Sequence, residues 1–186
     1  MPTRTVEEYG RRTSLVATRP DLMVSVAQLL RDGSVVLRGD VIGIATATGE
    51  GRRRTRTLAA GTGFAVDSAV GRVVDASLFR AGDVLETEDG TDIGTVQSVD
   101  ETTNPDSVTL VANAAVAVAA GAVVRCADGS AVAKGISDDE TDGGEDTSVS
   151  LIIAAPALSE AKLRGLDDSA LAELGGARVG VGIVKL

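Results

Sequence analysis

Four arginines fall within five residues in LRGDVIGIATATGEGRRRTRT, residues 37–57, directly after a glycine-rich turn. Guanidinium groups at that density would serve phosphate binding, nucleic-acid contact or ion pairing with carboxylates. The turn Gly49-Glu50-Gly51 is not a phosphate-binding loop, because no Gly-Lys-Ser/Thr follows it. Nor is it a dinucleotide fingerprint, since the sequence after it reads as a strand and not a helix. No aromatic residue interleaves the arginines, which argues against a single-stranded nucleic-acid platform. Two readings remain open: a solvated returning strand whose charges meet acidic loops, and a docking face for an acidic protein. As a strand, the segment places Arg52, Arg54 and Arg56 on one face and Arg53, Thr55 and Thr57 on the other.

The remaining chemistry-bearing groups are carboxylates. The run DDETDGGED, 138–146, loosely resembles the start of a calcium loop through Asp138, Glu140, Asp142 and Gly143. Its closing glutamate is missing, with Val149 in that place, so it reads as a solvated loop. Asp167 and Asp168 read as helix caps, not as an acid–base pair. Arg38-Gly39-Asp40 reads as a turn. Histidine is absent and Cys126 is the single cysteine. These two facts exclude an intrachain disulfide, Ser-His and Cys-His dyads and a zinc cluster. Cys126 itself reads as a small buried hydrophobe. We expect no catalytic role and no cofactor.

The elements that must carry these groups are mostly strands. The 186 residues include 22 glycines but only 2% aromatics, so the core must come from Val, Ala, Leu and Ile. Net charge is −9, which makes neither nucleic acid nor an anionic membrane a default partner. Lysine occurs only at 134, 162 and 185 among 18 basic residues; a salt-adapted source and an arginine-rich codon usage both account for that. No stretch reads as a membrane span or a signal peptide, and the expectation is a soluble protein made in a cytoplasm.

Residues 1–22 read as a polar, flexible N-terminal arm with little core of its own. MVSVAQLL, 23–30, begins ordered structure. VIGIATAT, 41–48, reads as a strand, and RRRTRTL as its returning partner. Residues 58–126 form short apolar runs between Gly, Asp and Asn-Pro turns, which predicts a small barrel or sandwich. The Ala-rich run 112–122 has some helical character, opposed by Val116 and Val118. SLIIAAPAL is an apolar strand. SEAKLRGLDDSALAEL, 159–174, is the best helical candidate, ended by Gly175-Gly176. ARVGVGIVKL reads as a last strand. The expected class is mainly β with a short C-terminal helix.

Three blocks together carry a resemblance: the opening hairpin LRGDVIGIATATGEGRRRTR, the block ADGSAVAKGISDDETDGGEDTSVSLII, and the close LSEAKLRGLDDSALAELGGARVGVGIVKL. In order and chemistry this resembles the phage lambda-type head decoration, or capsid cement, proteins. The resemblance covers 23–57 and 127–186 as a discontinuous core. Residues 58–126 then stand as an inserted β module, and the run RRRTR has no counterpart. The resemblance implies a homotrimer on the outer surface of an expanded icosahedral head, at local three-fold sites. It further implies an arm that adds β-structure to the major capsid protein. The arm and first strand would supply capsid contacts through Arg4, Val6, Tyr9, Arg11, Arg12, Leu15, Arg19, Met23 and Val24. Leu158, Leu163 and Leu166 would supply trimer contacts. The alternative is a virion surface adhesin or glycan-binding module in the inserted part, and a carboxylate-dependent hydrolase is a third reading.

Overall fold

The computed structural model describes residues 24–31, 33–142, 148–159, 162–175 and 181–184. Its strands are β1 (Val24–Leu29), β2 (Val35–Val36), β3 (Val41–Ile44), β4 (Gly51–Arg53), β5 (Arg56–Leu58), β6 (Val70–Val73), β7 (Val84–Thr87), β8 (Asp92–Asp100), β9 (Asp106–Leu110), β10 (Val123–Cys126), β11 (Ala133–Ser137), β12 (Thr141–Asp142) and β13 (Ser148–Ser159). The helix α1 (Asp168–Gly175) and strand β14 (Val181–Val184) complete the chain. The protein is mainly β, as expected, with a short helix near its C-terminal end.

The first sheet runs β1-β13-β11-β3-β4, and β14 joins β13 in parallel. A bridge from Leu30 to Gly51 brings the end of β1 onto β4, and the Arg31 N–H donates to the Gly51 carbonyl at 2.9 Å. The sheet thereby curls into a small barrel. Leu30, Val36, Ile42, Val149 and Leu151 pack as one cluster. The alternate positions Val41, Ala133, Ile136, Ile152 and Leu158 form a second cluster, which Ala170 and Leu174 of α1 cover. The alternation follows from strand geometry, which sends successive side chains to opposite faces. The short ladder of β2 with β12 stands beside this barrel.

The second sheet runs β5-β10-β7-β8-β9-β6. An Ala59–Val73 bridge and a bond from the Val74 N–H to the Leu58 carbonyl (2.9 Å) join its last strand to its first. Residues 56–126 therefore close on themselves. Phe64 and Phe79 fill this interior, where smaller residues alone would leave voids, together with Leu85, Ile93, Val96, Val108, Leu110 and Val124. Cys126 lies in the same core, and burial pushes its thiol up to about 12. It is therefore expected to resist alkylation in the native protein at pH 8 and to react once the protein is unfolded in denaturant, which a mass-resolved iodoacetamide time course checks.

Several local expectations are corrected. The strand at 41–48 stops at Ile44; residues 46–48 turn, with the Gly49 N–H bonded to the Ala45 carbonyl at 2.8 Å. RRRTRTL is not one returning strand: β4 ends at Arg53 and β5 begins at Arg56, in the other sheet. The Ala-rich run 112–122 is loop, because Ala114 and Val118 drop into the barrel core and Val118 bridges Phe64. The helix occupies only the end of 159–174. Residues 163–166 instead run past the first barrel, where Arg164 exchanges backbone bonds with Gly39 and Val41. Gly165, at φ +70°, turns the chain toward α1. Asp167 caps that helix, accepting from the Ala170 N–H at 2.7 Å.

Candidate functional site

The arginine run is the chain's outward crossing between the two barrels, and residues 127–132 are its return. The two crossings are bonded to each other. Thr55 and Ser130 meet through their hydroxyls at 2.6 Å, and the Cys126 N–H donates to the Thr55 carbonyl at 3.1 Å. Each arginine then reaches a different element.

Arg52 is 3% exposed. Its Nη1 donates to Asp83 at 2.8 Å, its Nη2 to Asp128 at 2.8 Å and its Nε to the Ser130 hydroxyl at 3.0 Å. Asp83 belongs to the turn before β7 of the second barrel, and it also receives Arg31 of the first barrel at 2.8 Å. Arg54 is 4% exposed; it binds the Ala131 carbonyl and Asp167, at 2.8 and 2.7 Å, and approaches Glu173 of α1. Arg56 joins Asp167 at 3.2 Å to Glu88 of the second barrel. Arg53 reaches the Ser77 hydroxyl at 3.0 Å, Asp75 at 3.3 Å and Asp40 at 3.6 Å. Carboxylates from both barrels and from the α1 segment thus converge on one short stretch.

Two sequence-level readings of the run are thereby corrected. The arginines are not a solvated strand, since Arg52 and Arg54 are buried. They also do not share one face of a strand, because the chain breaks between β4 and β5 so that each head group can turn separately. The burial is tolerated because every buried guanidinium is matched by carboxylate or carbonyl acceptors.

The carboxyl groups respond in opposite directions. Burial raises Asp83, but the hydrogen bonds from Arg31 and Arg52 more than offset it, so its carboxyl sits below the usual range. Burial likewise raises Asp167, and the Ala170 N–H with Arg54 brings it below that range. In Asp40 burial prevails over the Leu37 N–H and Arg53, and the carboxyl is raised. A depressed folded pKa contributes stability above the unfolded value, about 3.9 for Asp, and loses it as pH falls through the folded value. Urea melts between pH 7 and 2.5 are therefore expected to show a stability gap between wild type and Asp83→Asn. That gap stays constant down to about pH 4 and closes only below it. A gap that closes between pH 7 and 5 would contradict the assignment.

A cleft of about 130 Å³ opens where the crossing meets both barrels. Arg53, Arg54, Arg56 and Arg164 line it with Asp40 and Asp75. Asp40 of the Arg-Gly-Asp tripeptide is 2% exposed and faces this junction, so the tripeptide is a turn with an inward acid.

The other expected site residues lie elsewhere. Arg4, Val6, Tyr9, Arg11, Arg12, Leu15, Arg19 and Met23 fall outside the described residues, and Val24 opens β1 opposite Ala154. Leu158 is fully buried in the chain's own core, and Leu163 and Leu166 pack partly buried against the same cluster. Leu158 thus has no exposed surface in the single chain, while Leu163 and Leu166 keep part of theirs. Asp138 pairs with Arg38 at 2.6 Å and Asp139 accepts from the Ser150 N–H at 3.0 Å, so the start of the acidic run serves the first barrel. Residues 143–147 lie outside the described residues. Among the described residues no three Asp, Glu, His or Cys side chains converge as a metal site.

Sequence reasoning missed Arg31, Asp40, Asp75, Asp83, Asp128 and Arg164. The one available signal was the arginine density itself, in a chain otherwise dominated by acids. No protein-family profile, curated protein or solved structure matches the chain.

Proposed function

We propose that the protein is a viral capsid decoration protein that binds the outside of the expanded head and holds it against genome pressure. It would act as a homotrimer at local three-fold sites, with residues 1–22 adding β-structure to the major capsid protein. One observation carries this reading. β1, which follows residues 1–22 in the sequence, pairs along its length only with β13; on its other side it meets β4 only at its end, through Leu30 and Arg31, and Val26 and Leu29 are 42% and 52% exposed. A strand edge left open over most of its length, with exposed apolar side chains, is the kind of surface that strand addition uses. The arginine junction supports it further, because a cement must transmit load through both barrels as one body. Leu163 and Leu166, partly exposed beside α1, stay candidates for the three-fold contact, whereas Leu158 is enclosed in the chain's own core.

The glycan-binding alternative is weaker. Sugar rings need exposed aromatic faces, and Phe64 and Phe79 are both buried in the second barrel.

The test is co-sedimentation with expanded, undecorated shells of the cognate virus, followed by heating. Saturable binding at three copies per local three-fold site, with shells that survive higher temperature, supports the cement role by mass action. The variant lacking residues 1–22 is expected to keep its circular dichroism spectrum and melting temperature while losing shell binding. Equal decoration by the truncated chain would remove the strand-addition mechanism, and no binding by the full chain would remove the cement reading.

A further inference from the structure

We propose that the cleft at the barrel junction is an oxyanion site, taking one carboxylate or phosphate group between Arg53 and Arg164. The accessible charge in the cleft is mainly cationic. Asp40 lines it, but its side chain is only 3% exposed and does not meet solvent. Asp75 is the accessible carboxylate among the lining residues, against Arg53 on the crossing and Arg164 on the loop before α1.

The arginines are not used up internally. Arg164 is exposed; its backbone is bonded to Gly39 and Val41, but its guanidinium forms no hydrogen bond or ion pair with the described residues and acts on Asp40 only at longer range. Arg53 gives Nη1 to the Ser77 hydroxyl at 3.0 Å, but its contacts with Asp75 and Asp40, at 3.3 and 3.6 Å, are longer than the 2.7–2.9 Å of a fully formed charge-assisted bond. Arg56 uses Nε and Nη1 for Asp167 and Glu88, leaving Nη2 unengaged. Arg54, by contrast, is saturated by Ala131, Asp167 and Glu173 and acts as the wall.

Size selects the guest. At about 130 Å³ the cleft is well below the roughly 300 Å³ at which pockets for whole small molecules begin. It admits a head group, not a sugar ring or a nucleotide. Two guanidinium forks from different segments would hold the planar or tetrahedral oxygens, and doing so would tie the loop before α1 to the crossing. The site is independent of the capsid reading.

Arginine-detected ¹H–¹⁵N spectra of the full chain test this, titrated with inorganic phosphate in one arm and free glutamate in the other. Chloride at matched ionic strength is the blank. Saturable shifts of the Arg164 and Arg53 Nε–H signals are expected. Arg164→Gln should weaken binding roughly ten- to hundredfold with an unchanged melting temperature, since the backbone bonds of residue 164 remain. Arg72→Gln, remote in the second barrel, should bind as wild type. Saturation by phosphate alone assigns a free ion as the guest, and saturation by glutamate assigns an acidic side chain of a protein; either sustains the site. No saturable shift with both anions, or equal binding by Arg164→Gln, overturns it.

Discussion

Arg52→Ala is expected to lower the unfolding free energy by about 3–5 kcal/mol, the cost of breaking a buried ion pair from one side. Asp83, 6% exposed, would lose one of its two ion-pair arginines and keep Arg31, and the Ser130 hydroxyl and Asp128 would lose a donor each. Arg52→Lys should recover only part of the loss. An ammonium carries its three N–H groups on one nitrogen and cannot span Asp83, Asp128 and Ser130, which Arg52 reaches with three separate nitrogens. Arg52→Met combined with Asp83→Leu separates the causes. If the penalty arises from an unpaired buried charge, the double variant regains much of the stability, because apolar groups of similar volume are well tolerated in such positions. Equilibrium urea unfolding of the four proteins reads this directly. A single-variant loss below about 1 kcal/mol, the scale of an exposed pair, would show that the junction is not the lock described above.

Gly43→Ala is the second large effect, at about 3 kcal/mol or more. A Cβ built on Gly43 falls 1.7 Å from the Ser130 carbonyl oxygen, a backbone atom. Ser130 cannot simply move aside. Its carbonyl accepts from the Thr55 N–H at 3.3 Å, and its own N–H is held by Asp128 at 2.9 Å. The methyl group therefore pushes the return crossing off β3 and strains the Thr55–Ser130 contact that joins the two crossings. The variant should melt well below wild type, with a circular dichroism spectrum that still shows two formed barrels at low temperature. A melting temperature within a degree of wild type would mean that the crossings are not packed as described.

The mainly β class was legible because turn residues and alternating apolar positions are local signals. Of the helix expected over 159–174, only the end forms, at 168–175, with Asp167 as its cap. The misreadings share a cause. VIGIATAT has strand-like composition throughout, but the sheet partner of β3 ends at Gly51, and residues beyond Ile44 had no ladder to join. The Ala-rich run has helix formers, but Ala114 and Val118 gain more by closing the barrel core than an isolated turn of helix would supply.

The sequence by itself determined that histidine is absent and cysteine single, and it marked a mainly β chain with a cluster of positive charge at one point among many acids. Local rules decide those features, because propensity, periodicity and composition act over a few residues. What the arginines face was decided only in three dimensions. Their carboxylate acceptors, Asp40, Asp75, Asp83, Glu88, Asp128, Asp167 and Glu173, lie up to 119 residues away and come from both barrels, the return crossing and the α1 segment. No local pattern pairs charges across that separation. Barrel closure does, by bringing the crossing, its return and the capped helix to one junction where an unmatched charge would be costly.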